Sequence, residues 1–379
     1  MQQNKNPLVA IILILLIQLL FAIEMGLIFP LTPAIAEIYS IATYQVAYMN
    51  IGNAVLGIFA PVIGYLADKK GDKKMIAYTI FIFLLGSLTI QLVPGSIIAY
   101  VIGRSLTGLA FFTIMGLGLN YLAMLVDESR LGFISGLYKI AFSLGVLISP
   151  FFGIFFINNY SFSLIYFSLS VLSAILLLLF LLFTPETKQT HIAINKEQII
   201  TLIKGKKERK MIIITFLLST PAVFFFNYLS VFLDSKMISV NTIATLYTIM
   251  AVGSIIGCFF IMLFADKIGK LKTIIILSLC IPLAFFGFYI NNELFLLLMA
   301  LVFGFLYDGA TGLIMPIGSM VVKHYKGTFL TILSLTMSLT NVVSNIVAPS
   351  LYEIGGFLTL IIIMSLSIFM ADSLLSKIN

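Results

Sequence analysis

The chain has 379 residues, of which 61% are hydrophobic and only 10% are charged. A soluble protein of this length needs more polar surface, so we expect an integral membrane protein. The net charge of +7 lies mostly in segments between apolar runs, which is typical of membrane orientation signals, so we expect no nucleic-acid partner.

Twelve apolar runs are long enough for transmembrane helices, which need about 20 residues each. Their expected limits are 8–36, 44–67, 74–93, 97–126, 131–157, 162–183, 211–233, 241–265, 272–290, 294–322, 328–351 and 355–375. The first run is too long for a signal peptide's apolar part, and no small-x-small cleavage site follows it, so we expect a retained helix.

A long central loop divides the spans six and six. We expect an N-terminal bundle at 1–184, a cytoplasmic loop at 185–210 and a C-terminal bundle at 211–379. Within the loop, 192–203 is weakly amphipathic, so either an interfacial helix or a solvated linker fits; we favour the linker.

Lysine and arginine predict the orientation. With the N-terminus inside, 19 of the 22 basic residues fall in cytoplasmic segments and only Lys236 falls in an external loop. This asymmetry predicts that both termini are cytoplasmic, with a prokaryotic plasma membrane as the expected location.

Span 1 carries an acidic residue near its middle, Glu24. A charge at this depth costs about 2.5–3.5 kcal/mol on insertion scales, so its first interpretation is functional. A carboxyl group in an apolar bundle can take up a proton and release it when a cation approaches. Glu24 is therefore our best candidate for a substrate or proton-coupling group.

The loop after span 2, from Gly64 to Lys74, is a dense basic turn that is repeated 198 residues later. In the repeat, Asp266 matches Asp68 and Gly269 matches Gly71. We expect Gly64 and Gly71 to permit a tight turn and close helix approach. A duplicated loop predicts two similar bundles, an arrangement typical of transporters with a site between the halves.

Three more charges lie within spans: Arg104 in span 4, Lys139 in span 5 and Asp308 in span 10. Each is interpreted first as functional and otherwise as a paired structural charge. Lys139 can partner Glu24, meet an anionic group of a substrate, or extend towards the cytoplasm, which we prefer. Asp308 is flanked by glycines that suit close packing and is a candidate for proton handling.

Span 5 combines small residues with a proline: Gly145, Ser149, Pro150 and Gly153. Pro150 returns in span 11 as Pro349, at nearly the same offset as the loop. This face predicts either a gate-side packing surface or ordinary helix packing.

Aromatic residues and amides within spans are a weaker signal. The run from Val223 to Tyr228 is a candidate wall of an apolar substrate pocket, with core packing as the alternative. Asn120, Asn227 and Asn341 are expected to bond between helices or to face a pathway.

Taken together, these motifs resemble the major facilitator superfamily along nearly the whole chain. Gly64 to Lys74 looks like its motif G-x-L-A-D-[R/K]-x-G-[R/K]-[R/K], although Asp72 stands where a basic residue is usual. Arg104 to Gly108 is similar to its R-x-x-x-G motif. The proline segment of span 5 is similar to a motif found mainly in the family's exporters, with Ser149 in place of a glycine.

The resemblance implies an all-α fold of twelve helices in two pseudo-symmetric six-helix bundles. It also implies that Asp68 helps to latch the two halves in the outward-facing state; a solvated loop carboxylate is the alternative. Arg104 matches a family arginine implicated in proton coupling, and a structural tie to backbone carbonyls is equally compatible with the sequence.

The resulting hypothesis is a proton-coupled, drug:proton antiporter-like exporter of a small amphiphilic compound, working by alternating access. Nutrient uptake by symport and, less favoured, lipid flipping are the alternatives. The expected partners are the substrate, protons and the lipid bilayer, and we expect a monomer.

Cysteine, histidine and nucleotide motifs give no sign of other chemistry. Cys258 and Cys280 lie in apolar runs, and His191 and His324 lie in separate loops, which predicts neither a disulfide framework nor a metal site. No Gly-x-x-x-x-Gly-Lys-[Ser/Thr] pattern occurs, so we expect no ATP hydrolysis, no cofactor and no enzyme activity.

Overall fold

A computed structural model of the chain describes residues 7–127, 131–186, 204–290, 292–322 and 326–378. Among the positions where only the backbone is described are Asp68 and Asp266. The chain divides into two compact units, Met1–His191 and Ile192–Asn379. The boundary falls within the central loop at 185–210.

The described elements of both units are helices, as their apolar composition predicts. The first unit contains α1 (Pro7–Tyr39), α2 (Val46–Met49), α3 (Ile51–Gly57), α4 (Ala60–Lys70), α5 (Asp72–Leu92), α6 (Ile97–Ala123), α7 (Leu131–Asn159) and α8 (Phe162–Phe183). The second contains α9 (Lys206–Ser235), α10 (Val240–Ile268), α11 (Lys270–Gly287), α12 (Glu293–Thr311), α13 (Ile314–Val321) and α14 (Lys326–Leu375). A short 3-10 turn, Thr43–Gln45, precedes α2.

Within the described ranges, eleven helical stretches are long and apolar enough to cross a bilayer. The last of them, Ile332–Leu375, contains two spans, because Gly355 and Gly356 adopt non-helical backbone angles inside α14. This interruption lies where spans 11 and 12 were expected to meet. The helices therefore agree with the twelve predicted spans.

Span 2 is less regular than the single helix expected at 44–67. It is divided into α2, α3 and α4, although the backbone at Asn50, Ile58 and Phe59 keeps right-handed helical angles. The hydrogen bonds shift to three-residue spacing at the second break, where the Phe59 N–H donates to the Leu56 carbonyl at 3.0 Å. Pro61 follows this break, and its missing N–H removes one helical bond.

The duplicated loop has the same backbone geometry in both units. Gly71 (φ 99°, ψ 135°) ends α4 and precedes α5, and Gly269 (φ 98°, ψ 122°) stands likewise between α10 and α11. The Gly71 N–H donates to the Ala67 carbonyl at 2.8 Å, and the Gly269 N–H donates to the Ala265 carbonyl at 2.9 Å. A single glycine therefore makes each turn.

The expectation for Gly64 was wrong. It lies inside α4 rather than in a turn, and a Cβ atom built there meets no described heavy atom within 4 Å. The helix continues to Lys70 because the polar residues after Gly64 are compatible with helical backbone. Only the positive φ at Gly71 stops it.

Replacing either turn glycine by alanine is expected to lower the free energy of unfolding by about 1–3 kcal/mol, because a side chain is strained at these backbone angles. A Cβ atom at Gly71 or Gly269 would meet no described heavy atom within 4 Å, so the expected cost is conformational rather than steric. Asparagine is expected to help little, because ψ lies far from the left-handed helical value that it tolerates. Thermal unfolding of Gly71→Ala and Gly269→Ala in detergent, beside Gly64→Ala, checks this; three equal transitions would contradict it.

The turn also explains Asp72, which departs from the family pattern. Asp72 is buried at the first position of α5, where the positive end of the helix dipole favours a carboxylate. Its Oδ2 accepts a hydrogen bond from Asn120 Nδ2 of α6 at 3.3 Å. Next to it, Lys73 Nζ donates to the carbonyls of Leu181 and Thr184 at the end of α8, at 3.1 and 2.6 Å.

Candidate functional site

Small residues allow α1 to pack closely against α7, and this packing positions Glu24. A Cβ atom on Gly145 would lie 2.6 Å from the Cβ of Ala22, and one on Gly153 would lie 2.6 Å from Leu31. Ser149 is buried, and its hydroxyl donates to the Val146 carbonyl at 2.9 Å. The small residues of span 5 therefore form a packing face against α1, and α7 runs through Pro150 without a break.

Glu24 of α1 and Arg104 of α6 form a buried ion pair. Arg104 Nη1 donates to Glu24 Oε1 and also to the backbone carbonyl of Glu24, the latter at 3.3 Å. Both side chains have essentially no exposure. The contacts that both interpretations of Arg104 require are therefore present, since the same nitrogen contacts a carboxylate and a backbone carbonyl, and its role in proton coupling stays a prediction.

Two uncharged side chains complete the immediate surroundings of the pair. The Thr107 hydroxyl, one turn along α6 from Arg104, donates to Glu24 Oε1 at 3.0 Å. Arg104 Nη2 lies 3.4 Å from Asn50 Oδ1, at the break between α2 and α3. The site thus joins three helical spans of the first unit.

Several polar atoms around the pair have no hydrogen-bond partner among the described residues. They are Glu24 Oε2, Arg104 Nε and Asn53 Nδ2. Buried polar atoms are normally satisfied, and unsatisfied ones cost about 1–3 kcal/mol each. Glu24 therefore has one carboxylate oxygen bound to Arg104 and one, Oε2, with no donor among the described residues.

Gly108 places the end of the arginine motif against the broken span 2. A Cβ atom there would lie 2.7 Å from the Cα of Asn53, so only glycine permits this approach of α6 to α3. The two defined residues of the R-x-x-x-G motif therefore have separate structural roles in this unit. Arg104 makes the ion pair, and Gly108, one turn later, keeps α3 close.

The second unit has its own intramembrane acid. Asp308 of α12 accepts a hydrogen bond at Oδ2 from the Ser254 hydroxyl of α10. Glycines allow the two helices to approach, because Cβ atoms on Gly253, Gly257 and Gly304 would each collide with backbone atoms of the facing helix. Of the glycines that flank Asp308 in its own span, Gly304 therefore serves close packing.

Lys139 is exposed on α7, and within the described ranges no ion pair joins it to Glu24. Of its three alternatives, pairing with Glu24 is therefore not found, because Arg104 takes that position, and the preferred extension towards the cytoplasm stays a prediction. Of the other candidates, the side chains of Asp68 and Asp266 lie outside the described atoms, so the latch stays a prediction.

Two of the three amides bond between helices, which was one of the two expected roles. Asn120 bonds between helices, as does Asn227, whose Nδ2 donates to Asn345 Oδ1 of α14 at 2.9 Å. Asn341 instead bonds within its own helix, to the Met337 carbonyl at 3.2 Å. Phe225, in the aromatic run of span 7, is fully buried, and its ring centroid lies 4.0 Å from that of Phe303. Phe225 is therefore a core residue.

Sequence reasoning missed Asn50, Thr107 and the buried acid Asp372. Uncharged polar residues are common in spans, so neither Asn50 nor Thr107 carried a distinguishing signal. Asp372 of α14 is buried and accepts a hydrogen bond from the Ser278 hydroxyl of α11 at 2.7 Å. Its position inside the apolar run 355–375 was the signal that could have identified it.

Curated proteins similar in sequence are transporters. The chain is 29% identical over 187 residues to the tetracycline resistance protein, class H, of Pasteurella multocida, covering 48% of this chain and 45% of that protein. It is 30% identical over 171 residues to the facilitated glucose transporter member 2 of Bos taurus, covering 44% and 32% respectively. Each match thus spans less than half of the relative's length.

Solved structures with the same fold are also transporters. The nucleoside transporter NupG matches with a TM-score of 0.78 and 15% identity, over 98% of this chain and 99% of that one. The human organic anion transporter MFSD10 matches with a TM-score of 0.75 and 16% identity, over 98% and 100%. The family model of the Major Facilitator Superfamily matches residues 14–344. The chain therefore belongs to the Major Facilitator Superfamily and is an integral multi-pass membrane protein.

Proposed function

We propose that this transporter exports a small amphiphilic compound in exchange for protons. The observation that carries the proposal is the buried Glu24–Arg104 pair, with the Oε2 atom of Glu24 unbonded among the described atoms. A buried ion pair stabilises a protein poorly, because desolvation offsets much of its attraction. A pair placed inside a membrane span therefore favours a functional purpose.

In this proposal, Glu24 and Arg104 hold each other while the carboxylate is ionised. A proton that binds at Oε2 removes the negative charge and weakens the hold of Glu24 on Arg104. A cationic or hydrogen-bonding substrate that reaches the same carboxylate competes with Arg104 and with the proton. Because the Glu24 carboxylate binds either a proton or the substrate, but not both, binding of one releases the other, and this is the simplest physical basis for their exchange.

The sequence and packing around the pair support export over uptake. The proline motif of span 5 resembles one found mainly in exporters, and its small residues pack α7 onto the helix that carries Glu24. Similarity to a tetracycline resistance protein agrees with this direction. We further propose a plasma-membrane location with both termini inside, from the charge asymmetry, and a monomeric state.

Proton-coupled uptake of a polar nutrient is the second candidate. Similarity to a glucose transporter and the shared fold with a nucleoside transporter favour it. The buried acid serves symport as well as antiport, so the ion pair alone does not decide the direction.

Proteoliposomes with an imposed pH gradient distinguish these functions. We expect at least one cationic amphiphile in a compound panel to accumulate in the acidic lumen, against its own gradient, as protons leave. An ionophore that collapses the pH gradient is the control and should abolish accumulation. Accumulation of a sugar or nucleoside in the alkaline lumen, with the proton, would instead establish symport.

A further inference from the structure

A groove between α5 and α8 opens on the surface of the first unit at the end where Gly71 lies. Its volume is about 400 Å³, and its walls are Lys73, Lys74, Ala77, Tyr78, Phe81, Leu177, Leu181 and Glu186. The size falls within the range of small-molecule pockets, about 300–1,000 Å³. The groove lies outside the Glu24–Arg104 site and takes no part in the proposed transport.

The groove has a charged end and an apolar end. Lys74, Tyr78 and Phe81 occupy successive turns on one face of α5. Lys74 and Phe81 are therefore about 10 Å apart along the helix axis. On α8, Leu177 and Leu181 line the opposite wall, and Glu186 follows the helix end. Both charged groups therefore lie at the same end, which suits an amphiphile with one head and a tail along the groove.

The two exposed charges at this end are opposite in sign and do not neutralise each other. Within the described part of the chain, no ion pair joins Lys74 to Glu186. The third charge, Lys73, is buried and donates to the carbonyls of Leu181 and Thr184, so it belongs to the floor of the groove.

The apolar walls are partly uncovered in a part of the chain that lies in the membrane. Tyr78 is 49% exposed, Phe81 is 45% exposed and Leu181 is 48% exposed. Tyrosine near a charged helix end is typical of the membrane–water interface. The occupant of the groove therefore comes from the lipid phase.

We propose that the groove binds a zwitterionic phospholipid whose headgroup carries a primary amine. Lys74 meets the phosphate, Glu186 accepts hydrogen bonds from the ammonium group, and one acyl chain lies along Tyr78, Phe81 and Leu181. A purely anionic headgroup has no cation for Glu186 and repels its carboxylate. A quaternary ammonium group has no N–H with which to bond Glu186.

The absence of tryptophan from the sequence allows a direct test. Phe81→Trp introduces a single fluorescent reporter, and Tyr78→Trp is a second version should the first not fold. Vesicles of phosphatidylcholine are mixed with phosphatidylethanolamine or phosphatidylglycerol, each in turn carrying brominated acyl chains that quench the reporter. We expect phosphatidylethanolamine to bind about fivefold more strongly than phosphatidylcholine, as the one exposed contact that differs between them, from the ammonium group to Glu186, allows.

Matched controls come from the internal repeat. Lys272 and Leu279 occupy the positions of the second unit that correspond to Lys74 and Phe81. We expect Glu186→Gln to reduce the preference for phosphatidylethanolamine over phosphatidylcholine at position 81 towards unity and Lys74→Gln to weaken the binding of both lipids, whereas Lys272→Gln changes neither. A reporter from Leu279→Trp should show no preference.

Three results would overturn the proposal. Equal quenching by all three lipids at position 81 would show no headgroup selection. Stronger binding of phosphatidylglycerol, lost only in Lys74→Gln, would indicate a simple anionic site. No quenching by any brominated lipid would indicate that a protein segment, such as the central loop, covers the groove.

Discussion

Arg104→Gln is expected to lower the free energy of unfolding by about 3–5 kcal/mol, because it leaves the Glu24 carboxylate buried without its cation. Proton-driven transport is expected to fall at least about 100-fold, since loss of a coupling interaction of about 3 kcal/mol has this size. Equilibrium unfolding in mixed detergent micelles and proteoliposome transport measure the two effects separately.

The double variant Glu24→Gln with Arg104→Gln separates stability from function. The double variant has two neutral amides and no lone buried charge. We therefore expect its free energy of unfolding to lie within about 1–2 kcal/mol of that of the unmodified protein. Driven transport should remain lost, because neither amide binds a proton near neutral pH. A double variant that regains transport would show that the pair is only structural.

Exposed residues of the same types provide the controls. Glu37 lies on the same helix as Glu24 but is exposed, and Arg209 is exposed near the start of α9. Glu37→Gln and Arg209→Gln remove the same charges without uncovering a buried partner. Both are expected to leave unfolding and transport unchanged.

Gly145→Val is expected to destabilise the first unit by about 1–3 kcal/mol and to impair transport more than tenfold. A Cβ atom at this position would lie 2.5 Å from the Leu19 carbonyl and 2.6 Å from the Ala22 Cβ. Because the obstacle includes backbone, α1 has to move away from α7. Glu24 lies two residues beyond Ala22, so displacement of α1 also disturbs its contact with Arg104.

Gly116→Val is the matched control for this substitution. Gly116 is exposed in α6, and a Cβ atom there meets no described heavy atom within 4 Å. The same residue change should therefore change the free energy of unfolding by less than about 1 kcal/mol. Equal losses in the two valine variants would mean that helix propensity, rather than contact with α1, determines the effect.

The helices and the internal repeat could be predicted because both depend on local sequence. Apolar length identifies a span, and the glycine that ends each repeated loop has a backbone requirement of its own, as Gly71 and Gly269 confirm. Gly64 failed because a glycine in a polar segment is compatible with either a turn or a helix. The polar residues after Gly64 keep helical backbone up to Lys70, and the positive φ of Gly71 ends the helix.

Individual site residues were predictable, but their pairing was not. The cost of burying charge singled out Glu24, Arg104 and Asp308, whatever their partners. Which charges meet depends on the rotation of each helix about its axis, which the nearly uniform apolar spans do not specify. For that reason Lys139 remained a possible partner of Glu24, and Asn50, an uncharged residue of span 2, was missed.

The central claim, that Glu24 carries the coupling proton, is tested most directly by proton release on substrate binding. A compound that the transport panel identifies is added to purified protein in weakly buffered detergent, and the pH change is recorded. We predict that the unmodified protein and Glu37→Gln release protons, and that Glu24→Gln binds the compound without releasing any. Undiminished proton release from Glu24→Gln would contradict the claim.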